Sequence, residues 1–204
     1  MPLIPISPEQ VATVVTSLEL RERPRSRPAP PAPFRLNRWK EPAPAKYRAL
    51  FRRVGEPWLW FSRLVMADGA LTAIIHDPAV EIYAVEDRRG IEIGLLELDF
   101  RKAGETEIGF LGLVPELAGK GHGGWLMAQA LSIGWRKDTE RMWVHSCTLD
   151  HPGALAFYRR HGFVPFERAV ESFADPRLAG VLSRDAAPHV PLLEAQTTRA
   201  ATAR

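Results

Sequence analysis

Polar and apolar side chains alternate with a period of two along two adjoining stretches, the pattern of strands with one face buried. From Ile91 to Arg101 the residues Ile91, Ile93, Leu95, Glu97 and Asp99 share one face, and Leu96, Leu98 and Phe100 the other. From Glu105 to Val114 the shared face carries Glu105, Glu107, Gly109, Leu111 and Leu113. The turn-like runs Asp87-Arg88-Arg89-Gly90 and Lys102-Ala103-Gly104 tie these strands to a shorter one, Val80 to Val85, and predict an antiparallel meander. The period then changes. Trp125 to Trp135 is apolar around most of its helical circumference and predicts a buried helix, with Arg136 and Lys137 favourable at its C-terminal end. Arg141 to Thr148 reads as another strand, Pro152 as the opening of a helix to Arg160 or His161, and Gly162 as its stop. Phe163 to Phe173 supplies the last strands.

Ahead of the meander, Val11 to Leu20 is rich in β-branched residues and predicts a strand, preceded by a short helical turn at Ser7-Pro8-Glu9-Gln10. Lys46 to Val54 and Leu64 to His76 have helical spacing. Trp58, Trp60 and Phe61 lie between them, a cluster that either fills a core or walls an acceptor pocket.

Composition narrows the picture only a little. A chain of 204 residues with 46% hydrophobic and 25% charged residues fits one soluble domain with decorated ends. The expected division is an N-terminal strand and strap over 1–32, a main domain over 33–172, and an extension over 173–204 whose end is disordered. Pro24, Pro28, Pro30, Pro31 and Pro33 predict an extended, polyproline-like strap. Eleven Lys and Arg against two Glu between Arg21 and Arg53 give that region a local charge of 11 − 2 = +9. No aromatic ladder or nucleic-acid motif accompanies it, so a solvated basic arm is the reading preferred over a nucleic-acid partner. The single cysteine, Cys147, excludes an internal disulfide framework. No run approaches the roughly 20 apolar residues a spanning helix needs, and no secretory h-region stands at the start. The expected compartment is the cytoplasm, and a homodimer stays open.

The chemistry concentrates after Val114, in Pro115-Glu116-Leu117-Ala118-Gly119-Lys120-Gly121-His122-Gly123-Gly124. A glycine-rich turn between a strand and a helix lets amides face inward and adds the positive end of the helix dipole, a site for phosphate, with Lys120 supplying further charge. Gly119, Gly121 and Gly124 satisfy G-x-G-x-x-G. A dinucleotide fold would place the first glycine directly after the strand, in a parallel unit, and here Pro115 to Ala118 intervene. A Walker loop fails too, because Gly121 follows Lys120. The segment resembles the GNAT superfamily of acyl-CoA N-acyltransferases, whose loop reads Arg/Gln-x-x-Gly-x-Gly/Ala; Ala118, Gly121 and Gly123 stand at the matching positions. Asp150-His151-Pro152-Gly153-Ala154-Leu155-Ala156-Phe157-Tyr158, followed by Gly162-Phe163, is similar to the second family motif, with His151 at the usual Asn and with Ala154 and Tyr158 matching.

The resemblance implies an α/β fold: a mixed, mostly antiparallel sheet with splayed central strands, flanked by helices. It implies acetyl-CoA or another short acyl-CoA as co-substrate, held by Leu113, Val114, Gly119, Lys120, Gly121, His122, Gly123, Gly124, His151 and Tyr158. An amine attacks the thioester, a tetrahedral oxyanion forms, and Tyr158 protonates the departing sulfur. The acceptor is a small-molecule or peptide amine, whose ammonium must first lose a proton. Glu107 is the leading base, with Glu97 and Asp99 as rivals. His145, Cys147 and His151 are only three metal-ligand types straddling a strand end, so no metal is expected. The alternative function is a catalytically silent acyl-CoA-binding sensor.

Overall fold

The computed structural model describes residues 3–24 and 29–194. The predicted disorder of the final residues concerns positions 195–204 and lies outside the described residues. The meander forms the middle of a seven-stranded sheet built from β1 (Gln10–Leu20), β2 (Arg35–Trp39), β3 (Val80–Glu86), β4 (Glu92–Asp99), β5 (Glu105–Leu113), β6 (Arg141–Cys147) and β7 (Val164–Ala174). Their spatial order is β2-β3-β4-β5-β6-β1-β7. Every neighbouring pair is antiparallel except β5 and β6, which run parallel. Four helices accompany the sheet: α1 (Pro44–Gly55), α2 (Asp68–Ile75), α3 (Gly123–Gly134) and α4 (Ala154–Arg160). This is the mixed, mostly antiparallel α/β architecture the sequence predicts.

Local chemistry explains the helices. Pro44 opens α1, where its missing N–H costs nothing, and Tyr47, Leu50, Phe51 and Val54 recur at helical spacing to form the buried stripe. Tyr47 of α1 donates to Glu97 of β4, which fixes α1 on one face of the sheet. On the opposite face the hydroxyl of Thr106 in β5 donates to the carbonyl of Gly134, the last residue of α3. A Cβ on Gly134 would sit 2.7 Å from Met142 of β6, so glycine lets the helix end close on the strand.

Several elements differ from the sequence reading. Ser7 to Gln10 closes as a turn through the Gln10 amide and the Ser7 carbonyl, and Gln10 already starts β1. The second helix begins only at Asp68, because Phe61 to Val65 form turns of their own. The third helix starts two residues earlier than expected, so Gly123 and Gly124 form its first turn. Phe163 to Phe173 becomes one edge strand, and β2 was not foreseen because its five residues, Arg-Leu-Asn-Arg-Trp, show little apolar alternation.

The largest difference lies in β5. Leu98 pairs with Ile108, but Glu97 pairs with Phe110, leaving Gly109 as an extra residue in a β-bulge. The bulge reverses the alternation beyond it. Glu107 therefore shares the α1 face with Phe110 and Gly112, and Leu111 and Leu113 turn to the face of Ile108. Phe110 accordingly packs edge-on against Phe51 of α1. Bulged strands bend and twist more sharply than their partners. Pairing with β6 lasts only through Glu107↔Trp143, and residues 108–113 run on without it.

Phe51 is fully buried and packs against Tyr47, Trp60 and Phe110. Phe51→Ala should cost about 3–5 kcal/mol of stability, measured by denaturant unfolding at unchanged m-value.

Candidate active site

The parting of β5 and β6 opens a cavity of about 750 Å³. One end is walled by Gly119, Gly121, Gly123, Gly124, Phe157, Tyr158 and Arg160. The other end is walled by Trp58, Trp60 and Phe61 from the segment after α1, by Phe110 and His145 from the parted strands, and by Glu171 and Phe173 from β7. The aromatic cluster read from the sequence thus serves as a pocket wall and as core at once.

At the first end, Gly119 and Gly121 adopt φ of +72° and +80°, a conformation open to glycine at no steric cost. A Cβ at either would meet nothing within 4 Å, so the requirement is conformational. The amides of Trp125 and Leu126 are the first to bond back, both to the His122 carbonyl. The N–H groups of Gly121, His122, Gly123 and Gly124 precede them and find no backbone partner among the described residues, at the positive end of the helix dipole. Lys120 is exposed, and its amide bonds the Leu117 carbonyl at 3.4 Å. Ala118 closes the preceding turn through the Pro115 carbonyl, a contact that uses no side chain. Phe34, from the end of the strap, lies edge-on to the His122 ring at 4.8 Å and to Trp125 at 5.9 Å. The strap therefore buttresses the loop and leaves its glycines facing the cavity. Val114 bonds the Ile93 carbonyl, and Leu113 pairs with Gly94, so both continue β5 along one side of the wedge.

Tyr158 sits on α4, buried, with its side chain on the cavity. Burial pushes its hydroxyl pKa up, and the nearby Asp150 pushes it the same way. His151 caps α4 from outside: its carbonyl accepts the Ala154 amide, and its Nδ1 accepts the Gly153 amide at 3.0 Å. Its ring stands against Trp58. Asp150, missed in the sequence, joins the two ends. Its carboxylate accepts from the Ser146 hydroxyl at 2.8 Å, the Cys147 amide at 3.0 Å and the Trp60 indole at 3.3 Å. An acid between a strand end and a helix start was the available signal. Arg160, on the cavity wall, carried no signal of its own.

The three carboxylates weighed as bases are now distinct. Glu97 is 1% exposed and receives both the Tyr47 hydroxyl and the Arg63 guanidinium at 2.5 Å. Asp99 accepts from the backbone and guanidinium of Arg101; burial opposes ionisation there, and these bonds outweigh it to hold the carboxyl below its ordinary range. Glu107 has no such anchor. Burial, then repulsion from Asp99 and Glu97, pushes its pKa from 4.5 up to about 7, with Arg63 and Arg101 opposing. Its closest cation-forming neighbour is His145, with Nδ1 3.7 Å from Oε1. Among the described residues no group of three His, Cys, Asp or Glu could hold a metal ion. Cys147 is a thiol whose pKa is raised by burial and by Asp150.

A family model described as the acetyltransferase (GNAT) family matches residues 36–163. No curated protein matches the chain significantly. Similar solved structures include a GCN5-related N-acetyltransferase from Sphaerobacter thermophilus, 20% identical, with 80% of this chain and 51% of that one covered at a TM-score of 0.54. A GCN5-related N-acetyltransferase from Kribbella flavida is 16% identical, with 84% and 63% covered at 0.50. A mutant of SpeG, the spermidine N-acetyltransferase of Vibrio cholerae, is 20% identical, with 72% and 96% covered at 0.51. The chain thus spans only half to two-thirds of the first two of these structures, and the likeness is one of fold.

The raised Glu107 pKa carries a stability consequence. The folded state keeps a proton that the unfolded chain has released between about pH 4.5 and 7, so stability falls as pH rises through that window. Glu107→Gln removes this loss. At pH 8 the variant should be about 1–2 kcal/mol more stable than the parent, allowing for solvent screening, and at pH 4 the two should unfold alike in urea titrations.

Proposed function

Because the chain belongs to the acetyltransferase (GNAT) family, we propose that it moves an acetyl or other short acyl group from acyl-CoA to a primary amine. The observation that carries the reading is the wedge itself: parallel strands that part after Glu107↔Trp143, with glycine-loop amides that find no backbone partner among the described residues at one end and Tyr158 on the cavity wall. The cavity volume falls in the range of cofactor-sized sites. The amides of Gly121 to Gly124 suit a diphosphate, and Gly119 and Lys120 shape and charge the same turn. The edge of β5 at Leu113 and Val114 suits an amide-bearing arm, and His151 borders the same cavity.

The thioester brings an activated carbonyl, so the protein has to position the reactants, stabilise charge and move protons. Glu107, as a carboxylate, removes one proton from the ammonium and frees the nitrogen lone pair. Attack forms the C–N bond and a tetrahedral oxyanion, whose collapse breaks the C–S bond. Tyr158 gives its proton to the leaving sulfur, and the second proton shed by nitrogen restores the phenol. A raised phenol pKa means that Tyr158 holds its proton at neutral pH and has it to give when the sulfur departs. An amine acceptor also fits the likeness of fold to spermidine N-acetyltransferases. The enzyme is expected to work in the cytoplasm without a metal.

Acetyl-CoA should protect the chain against heat, by about 2.7 kcal/mol at one hundred times its dissociation constant. Absence of a shift at millimolar ligand overturns the reading. Tyr158→Phe should retain that shift and lose 10²- to 10⁴-fold in thiol release, on the order of a general acid's contribution. Binding without any turnover across a panel of amines would leave the silent sensor. Gly121→Ala, forced into a left-handed conformation, should weaken the acetyl-CoA shift while leaving the far end of the cavity unaltered.

A further inference from the structure

On the acyl-transfer reading the acceptor's proton goes to Glu107, yet the residue of this pair that lines the cavity is His145. Glu107 pairs with Trp143 at the last point of β5–β6 contact, which puts His145 one step further along the same face, where β6 has already left β5. The imidazole neighbours the Glu107 carboxylate and is half-exposed, at 51% against 27% for Glu107. The Nδ1–Oε1 separation of 3.7 Å is about 0.5 Å beyond a full hydrogen bond, the looseness expected of a catalytic contact before substrate closes it.

We propose that His145 is the catalytic residue that takes the acceptor's proton in the cavity and hands it to Glu107. The proposal rests on the acyl-transfer reading of the site. An ammonium N–H bond breaks and an Nε2–H bond forms; the Nδ1–H bond breaks and an Oε1–H bond forms. The ring is neutral before and after, with its tautomer exchanged, and Glu107 ends as the neutral acid. The exposed edge of the ring lets solvent return both groups to their starting state.

The acids nearest Glu107 and at the cavity floor are held by partners of their own. Glu107 faces Glu97 and Asp99 from β4, Arg101 just beyond it, and Arg63 from the segment before α2. Glu97 is committed to Tyr47 and Arg63, and Asp99 to Arg101. Asp150 is committed to Ser146, Cys147 and Trp60. Around His145 itself, the cross-strand Ser17 and the Trp143 ring carry no charge. Glu19, opposite Trp143, is paired with Arg141, and Glu167 and Glu171 stand on β7 beyond β1, so Glu107 is the carboxylate within 4 Å of the ring.

The test measures thiol release from acetyl-CoA across alkylamines, arylalkylamines and diamines, with kcat/KM followed from pH 5 to 9. His145→Gln keeps a polar side chain that cannot titrate. It should preserve the thermal shift with acetyl-CoA, lower kcat/KM at neutral pH by about 10²-fold or more, and reshape the acid limb of the profile. Glu107→Gln in addition should cost little beyond the slower single variant, as groups acting as a unit do. Imidazole added to His145→Ala should restore part of the rate. A His145→Gln enzyme within about twofold of the parent, with a superimposable pH profile, overturns the proposal and leaves acyl transfer standing. A parent chain that neither binds acetyl-CoA nor releases thiol overturns the acyl-transfer reading instead. His145→Asn carries the same expectations should the glutamine variant fail to fold.

Discussion

The geometry of the cavity depends on one buried carboxylate. Glu97 lies under the β5 bulge, held by a phenol from α1 and a guanidinium from the segment leading to α2. A Cβ on Gly109 would approach its Oε1 to 3.1 Å, so the bulged residue is one with no side chain to displace the acid. A buried ion is tolerated only when its lone pairs are filled, and here two charge-assisted or short bonds fill them. In return the arrangement clamps α1 and the aromatic segment to the sheet at the level where β5 turns away from β6. The wedge is thus a consequence of how the sheet is locked.

The same lock sets the electrostatics of the site. Glu97 and Asp99 have cations of their own, so their residual repulsion falls on Glu107, the third acid on that face. A carboxyl held near neutrality in a partly buried position is unfavourable for folding and useful for accepting protons, the usual trade between stability and chemistry. Arg63 shows a related cost: one of its buried nitrogens, Nε, has no hydrogen-bond partner among the described residues. Its Nη2 donates to Glu97, its Nη1 points to the Met66 sulfur, and the guanidinium lies over the Phe110 ring at 5.3 Å.

Both ends of the chain contribute to the site. β1 lies between β6 and β7, and its Thr13 and Val15 line the cavity. Residues beyond β7 turn back to pack Leu182, Ala186 and Ala187 against Leu59 and Leu149. Buried Arg177 pins that segment by bonding Asp175 and the carbonyls of Ala186 and Val190. His189 thereby reaches Trp58 at the cavity rim. The extension is therefore structural support for the aromatic wall, with its cation neutralised by an acid two residues away.

Features encoded by neighbours in the chain were legible in the sequence alone. Glycine spacing from Gly119 to Gly124, the proline and glycine that bracket α4, and the two-residue period of β4 and β5 each act through local backbone conformation or side-chain direction. They sufficed for the sheet-and-helix architecture, the anion-suited loop and the position of Tyr158. Tertiary structure alone decided the face of Glu107 relative to Leu111 and Leu113, because one extra residue in a register is invisible to a period-two count. It also decided which of three acids is left without a cation, and that His145 on the cavity wall meets Glu107. Those outcomes draw on pairings between residues far apart in the chain, such as Tyr47 with Glu97 and Glu107 with His145. A sequence pattern reports which way a side chain points along its own strand. Which charge it then meets is settled only when strands and helices from distant parts of the chain pack together.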